Sequence, residues 1–135
     1  CLPKDTKQLL SNYATIPQAI FGAVVESNML RKEFIASKIL EKNPKLVGIF
    51  RLVMKKGSHN FRESAIFAVM ELLQASGIEL LVYEPILNED DRNFEVTNDL
   101  EGFKKNCDLI LANRMEKVLL DVSDKVFTRD LYGDN

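Results

Sequence analysis

Three side chains among the first five residues have the types needed for covalent chemistry: the thiol of Cys1, the ammonium of Lys4 and the carboxylate of Asp5. A thiol attacks as its thiolate, which a nearby cation favours, and a carboxylate one helical turn away can position water or accept a proton. On spacing alone the trio is either a reactive centre or a coincidence. A second group lies at 54–62, where Lys55, Lys56 and Arg62 flank a Gly57-Ser58 turn ahead of an expected helix. Two ammonium groups, a guanidinium, turn N–H groups and the positive end of a helix all stabilise phosphate. Two lysines in a loop are also what plain solvated charge looks like. Arg129, beside Asp130 at an expected strand end, either meets an anion or pairs with Asp130 or solvent.

The remaining polar residues read more simply. Glu84 follows an expected strand, where dinucleotide folds often keep an acid for a ribose hydroxyl, but before Pro85 it reads as a turn residue. His59 is the single histidine, so no histidine-based metal set is available and a Ser-His-Asp triad would rest on one loop residue. No metal site is expected. Cys107 reads as a small half-buried residue and Arg114 as surface charge.

These groups need a scaffold, and the hydrophobic pattern supplies one. A long helix is expected over 15–42, with Thr15 as N-cap, Pro17 in the first turn and Asn43-Pro44 ending it. Its apolar residues form two stripes, one through Ile16, Ile20 and Val24 and another through Phe21, Val25 and Met29, so it implies two burial surfaces. A core helix of one domain and a connecting helix that also forms a dimer interface both satisfy that pattern.

After Pro44 the period changes. A near-continuous apolar run at 46–53 suits a strand covered on both faces. Then come a helix at 63–76 closed by Gly77, a strand at 79–83 and a solvated loop at 86–97. A short helix capped by Asn98 or Asp99 runs to 106, followed by a strand at 109–112, a helix at 115–122 and a last strand at 125–128. Strands alternating with helices predict an α/β domain with a Rossmann-like parallel sheet. The division expected is 1–44 for the cysteine segment and long helix, and 45–135 for the sheet domain.

At 135 residues, 46% hydrophobic, the chain suits a single core. No apolar run nears the ~18 residues of a membrane span, and the charged start Cys1-Leu2-Pro3-Lys4-Asp5 is no secretory leader. A formal charge of −2 gives no reason to expect nucleic acid. Two cysteines are no disulfide framework, which favours the reducing cytoplasm with both thiols free.

As a string, Cys1-Leu2-Pro3-Lys4-Asp5-Thr6-Lys7-Gln8-Leu9 resembles the nucleophile motif of the UDP-glucose 6-dehydrogenases, NAD-dependent enzymes that oxidise the sugar C6 alcohol to a carboxylate. Lys55-Lys56-Gly57-Ser58, continued by Asn60-Phe61-Arg62-Glu63-Ser64, is similar to their second signature, and Thr128-Arg129-Asp130-Leu131 to the ending of the short bacterial members. The resemblance implies Cys1 as nucleophile with Asp5 acting on water, Lys4 and Arg62 toward NAD, Lys55 and Arg129 toward the UDP-sugar, and a homodimer paired through the long helix. It also implies a long connecting helix followed by a UDP-binding domain. GDP-mannose dehydrogenases carry a closely similar cysteine string and stand as the alternative, as does, outside the enzymes, a nucleotide-binding or dimerisation module without chemistry. The six glycines are isolated, with no Gly-x-Gly-x-x-Gly, so the nicotinamide-binding half is missing and the piece alone should not turn over.

Overall fold

The apolar run that opens at Leu46 becomes the middle of a sheet because it has partners on both edges and helices on both faces. The computed structural model describes residues 2–52, 65–85 and 94–129. In chain order they form α1 (Leu2–Asn12), α2 (Ile20–Leu40), β1 (Leu46–Phe50), α3 (Ala65–Ala75), β2 (Glu79–Tyr83), β3 (Glu95–Thr97), α4 (Leu100–Asn106), β4 (Leu109–Ala112), a 3₁₀ helix (Lys117–Lys125) and β5 (Val126–Phe127). The strands lie in the order β3-β2-β1-β4-β5, every neighbouring pair parallel. The expected α/β class, a long helix leading into a parallel sheet, is what the chain adopts.

Alternation along each strand divides the core in two. Val47 and Ile49 of β1, Leu80 and Val82 of β2, and Leu109 and Leu111 of β4 face the layer made by α3 and the end of α2, where Ala36, Ile39, Val69, Met70 and Leu73 are buried. Phe50, Leu81 and Ile110 face the other way, onto Phe103 and Cys107 beside α4 and Leu119 of the 3₁₀ helix. Gly48 points to that second layer, and a Cβ there would lie 2.6 Å from Cys107 Sγ and 2.7 Å from the Phe103 ring. The missing side chain is what lets α4 lie directly on β1.

Polar groups fix the element ends. Gly77 (φ +80) lets the Ile78 and Gly77 N–H groups donate to Leu73 O (3.1 Å) and Gln74 O (2.9 Å), closing α3 in a Schellman turn. Asp99 caps α4 by accepting from the Gly102 N–H at 3.1 Å, one of the two caps anticipated. The Asp108 carboxylate accepts the N–H groups of Leu46 (2.9 Å) and Lys45 (2.8 Å), tying the start of β1 to the start of β4. Those two bonds hold its carboxyl below the usual carboxylate range. Lys104 reaches Asp121 (3.0 Å) and Glu101 (3.3 Å), and the Asp121 bond above all raises its ammonium above the ordinary lysine value. Lys125 donates to the carbonyls of Lys104 and Cys107, filling the end of α4.

Several boundaries depart from expectation. The long helix starts at Ile20, because the Gln18 side chain, not Thr15, accepts the first free N–H groups, those of Phe21 (3.0 Å) and Gly22 (3.4 Å); Pro17 stays outside the helix. The first twelve residues hold a separate helix, α1, packed against α2. Of the loop expected at 86–97, residues 86–93 lie outside the described residues, and Glu95–Thr97 form a strand, β3, which pairs with β2. The helix expected at 115–122 is a 3₁₀ helix at Lys117–Lys125, kinked at Val122, and the last strand shrinks to Val126–Phe127.

Candidate functional site

From β1 the chain moves outward to β2 and β3, then returns to the other flank of β1 for β4 and β5. The carboxyl ends of β1 and β4 therefore border the point where strand order reverses, and open α/β sheets bind ligands in the crevice at such a point. Here the structure gathers a group of side chains that the sequence pattern only partly announced.

Arg51 ends β1 by turning into the left-handed region (φ 59), a conformation that costs a non-glycine residue about 1 kcal/mol. Its N–H still donates to Tyr83 O (2.9 Å), but its side chain folds back over the Phe50 ring, guanidinium carbon 5.4 Å from the centroid. Nη1 then lies 3.3 Å from Oε1 of Glu116, which follows β4, so this ion pair bridges the crevice. Arg51 Nε is buried and meets no acceptor among the described residues. Phe50 stacks on Tyr83 at 5.5 Å, and both rings touch Phe103. A cation on an aromatic floor at a strand end was missed as a site; its one signal was an arginine inside an otherwise apolar run.

Glu84 corrects the reading of a simple turn residue. It is buried at 3% exposure, its carboxylate accepts the Leu52 N–H at 3.0 Å and its own N–H donates to Thr97 O at 3.3 Å. The acid thus laces the ends of β1, β2 and β3. Cys107 is fully buried, not half-buried, and burial pushes its thiol up to about 11. Arg114 is exposed, as surface charge should be.

Of the residues singled out for chemistry, Lys4 and Asp5 lie exposed on the first turns of α1. Arg129, just beyond β5, sits 5.9 Å from the centroid of Phe34 on α2, a ring that Lys38 also approaches at 5.7 Å. Cys1, Lys55, His59 and Arg62 fall outside the described residues. In the elbow between α1 and α2 lies an open recess of about 710 Å³ bordered by Lys7, Tyr13, Ile16 and Pro17, away from the strand ends. No group of His, Cys, Asp and Glu able to hold a metal ion occurs among the described residues.

The fold and the crevice can be set beside known proteins. Residues 48–131 match the UDP binding domain of the UDP-glucose/GDP-mannose dehydrogenase family. The chain belongs to that family. Among curated members of the dehydrogenase family, the UDP-glucose 6-dehydrogenase of Campylobacter jejuni subsp. jejuni serotype O:2 is 48% identical over 98% of this chain, and that of Streptococcus pneumoniae 47% identical over 98%. The GDP-mannose 6-dehydrogenase of Pseudomonas aeruginosa is 28% identical over 97%. The chain spans about a third of the length of these relatives: 34%, 34% and 29%. A crystal structure of a ternary complex of GDP-mannose dehydrogenase from Pseudomonas aeruginosa shares the fold, with a TM-score of 0.78 at 18% identity over 95% of this chain and 35% of that one.

Proposed function

We propose that this chain is the carboxyl-terminal third of an NAD-dependent UDP-glucose 6-dehydrogenase, carrying the nucleophile and the UDP-sugar domain. The observation that carries the proposal is the gap in identity: 48% and 47% to two UDP-glucose enzymes against 28% to a GDP-mannose enzyme, each over nearly the whole chain. The cysteine motif and the phosphate-suited loop at 54–62 add to it. GDP-mannose is the second nucleotide-sugar to be tested.

In the proposed mechanism the Cys1 thiolate adds to the C6 aldehyde made by a first oxidation, giving a thiohemiacetal. Loss of hydride turns that adduct into a thioester, and water then releases the carboxylate and restores the thiolate. A thiolate suits both halves, since it adds to carbonyls and leaves from thioesters readily. Asp5 orients or deprotonates the water, Lys4 and Arg62 face the cofactor, and Lys55 and Arg129 hold the UDP-sugar. NAD, when bound, accepts the hydrides. The residues present do not fit an NAD site of their own, because the chain has no glycine-rich phosphate turn after a strand. That site belongs to a part of the enzyme preceding Cys1.

The same proposal includes a homodimer through α2. At about 100° per residue, Ile20, Val24, Leu30 and Phe34 fall in one band of about 120° on the helix. All four are exposed, Ile20 at 75%, on the side away from the buried Ala36 and Ile39. No helix among the described residues is long and apolar enough to cross a membrane. With Cys107 free, we assign the protein to the reducing cytoplasm.

Turnover by the whole enzyme tests the assignment. UDP-glucose should be oxidised in preference to GDP-mannose, with two NADH formed per glucuronate, and Cys1→Ser should abolish glucuronate release. Wild-type release by Cys1→Ser would remove Cys1 as nucleophile, and preference for GDP-mannose would reassign the substrate.

A further inference from the structure

Resting on the nucleotide-sugar reading above, we propose that the Arg51 guanidinium is a phosphate ligand of the UDP domain, and that Glu116 is its resting counter-ion, displaced when the diphosphate enters the crevice. Four observations converge on this arrangement. Arg51 and Glu116 stand at the carboxyl ends of the two strands that border the reversal in strand order, the place where such sheets receive their ligands. The left-handed backbone of Arg51 places its side chain there; an unstrained strand residue would continue the alternation of β1. Backbone strain of this kind persists where surrounding structure holds it and clusters at binding and catalytic positions.

The third observation is the incomplete pairing of the guanidinium. It presents five N–H donors in a planar fork suited to two oxygens of a phosphate. The carboxylate of Glu116 comes to 3.3 Å of Nη1, while buried Nε meets no acceptor among the described residues. A phosphate that took Nε and a terminal nitrogen together would satisfy what Glu116 leaves open. Fourth, the pair is partly open to solvent, with side-chain exposures of 38% and 35%, so an incoming anion can reach it. The ring of Phe50, 5.4 Å from the guanidinium carbon, favours the cation there whichever anion occupies it.

Glu116 then acts as a built-in competitor. It stabilises the half-buried cation in the free protein, and its removal should strengthen binding of a diphosphate. This is opposite to the effect expected of a merely structural ion pair, whose loss would weaken binding or leave it unchanged.

The test is calorimetric titration of the 135-residue chain and its variants with UDP, and with uridine as the phosphate-free control. Glu116→Gln should bind UDP about three- to fivefold more tightly, the scale of a partly exposed ion pair, with uridine unaffected. Arg51→Gln should bind UDP at least tenfold more weakly, and Glu116→Gln should have no further effect in that background. A gain in affinity cannot come from misfolding, so the first variant guards against a fold lost in the second. UDP binding that neither substitution alters would overturn the assignment of Arg51 and leave the UDP-domain reading standing. No binding of UDP by the wild-type chain would overturn Arg51 as a phosphate ligand that this domain supplies by itself, and the UDP-domain reading is decided separately by turnover of UDP-glucose by the whole enzyme.

Discussion

Gly48→Ala adds a single methyl group where α4 lies directly on β1. Its carbon would stand 2.6 Å from Cys107 Sγ and 2.7 Å from both Cε2 and Cζ of Phe103, whereas ordinary carbon contacts lie near 3.5–4.0 Å. Phe103 and Cys107 are 1% and 2% exposed and have no room to turn aside, so α4 must shift by about 1 Å from β1. Overpacking of this kind costs about 1–3 kcal/mol. Replacing glycine inside a strand recovers about 0.5–1 kcal/mol of unfolded-state entropy. The net loss is about 0–2.5 kcal/mol, and its midpoint near 1 kcal/mol lowers Tm by roughly 4 °C for a chain of this size. Thermal unfolding followed by far-ultraviolet circular dichroism measures it, and Phe103→Leu added to Gly48→Ala should return part of the loss by emptying the space the methyl group needs. A Gly48→Ala protein that melts at or above the wild-type temperature would refute the claim that glycine is there to let α4 approach.

Three further outcomes follow from the polar framework. Glu84→Ala should lower the free energy of unfolding by about 1–3 kcal/mol in urea denaturation, because the Leu52 N–H loses its acceptor, while Glu84→Gln keeps an oxygen there and should lose less. Asp108 is held below its ordinary value in the folded state, so its contribution is present above the unfolded carboxylate pKa of about 3.9 and disappears as pH falls through the lower folded value. Asp108→Asn should flatten the decline in stability as pH falls below about 4, as read by urea midpoints. With Cys1 replaced by serine, the remaining thiol of Cys107, pushed up to about 11 by burial, should resist a disulfide reagent at pH 8 and react promptly in denaturant.

The parts of the fold that were legible are those where one signal dominates. The strands at 79–83 and 109–112 match residue for residue, because each is a compact apolar run between polar breakers. Asp99 was readable as a cap because its short carboxylate precedes a helical stretch. By contrast β3 has one buried residue, Val96, amid acidic and amide neighbours; pairing with β2, a tertiary contact, makes it a strand. The start of α2 was misplaced since a glutamine one position before the N-cap satisfies the free N–H groups without being a typical capping residue. The cysteine motif and the basic loop are readable as strings, whereas the Arg51–Glu116 bridge joins residues 65 positions apart in sequence through the parallel pairing of β1 with β4.

The short outer strands have a consequence for how the sheet can be extended. The two margins of the sheet are β3, with three residues, and β5, with two. An unpaired margin is a template for another chain, and its reach scales with its length. Margins this brief offer only a few free backbone groups, so the sheet is poorly suited to grow by adding strands from a neighbour. Among the described residues, growth of the sheet by strand addition from a neighbour is therefore disfavoured at both margins.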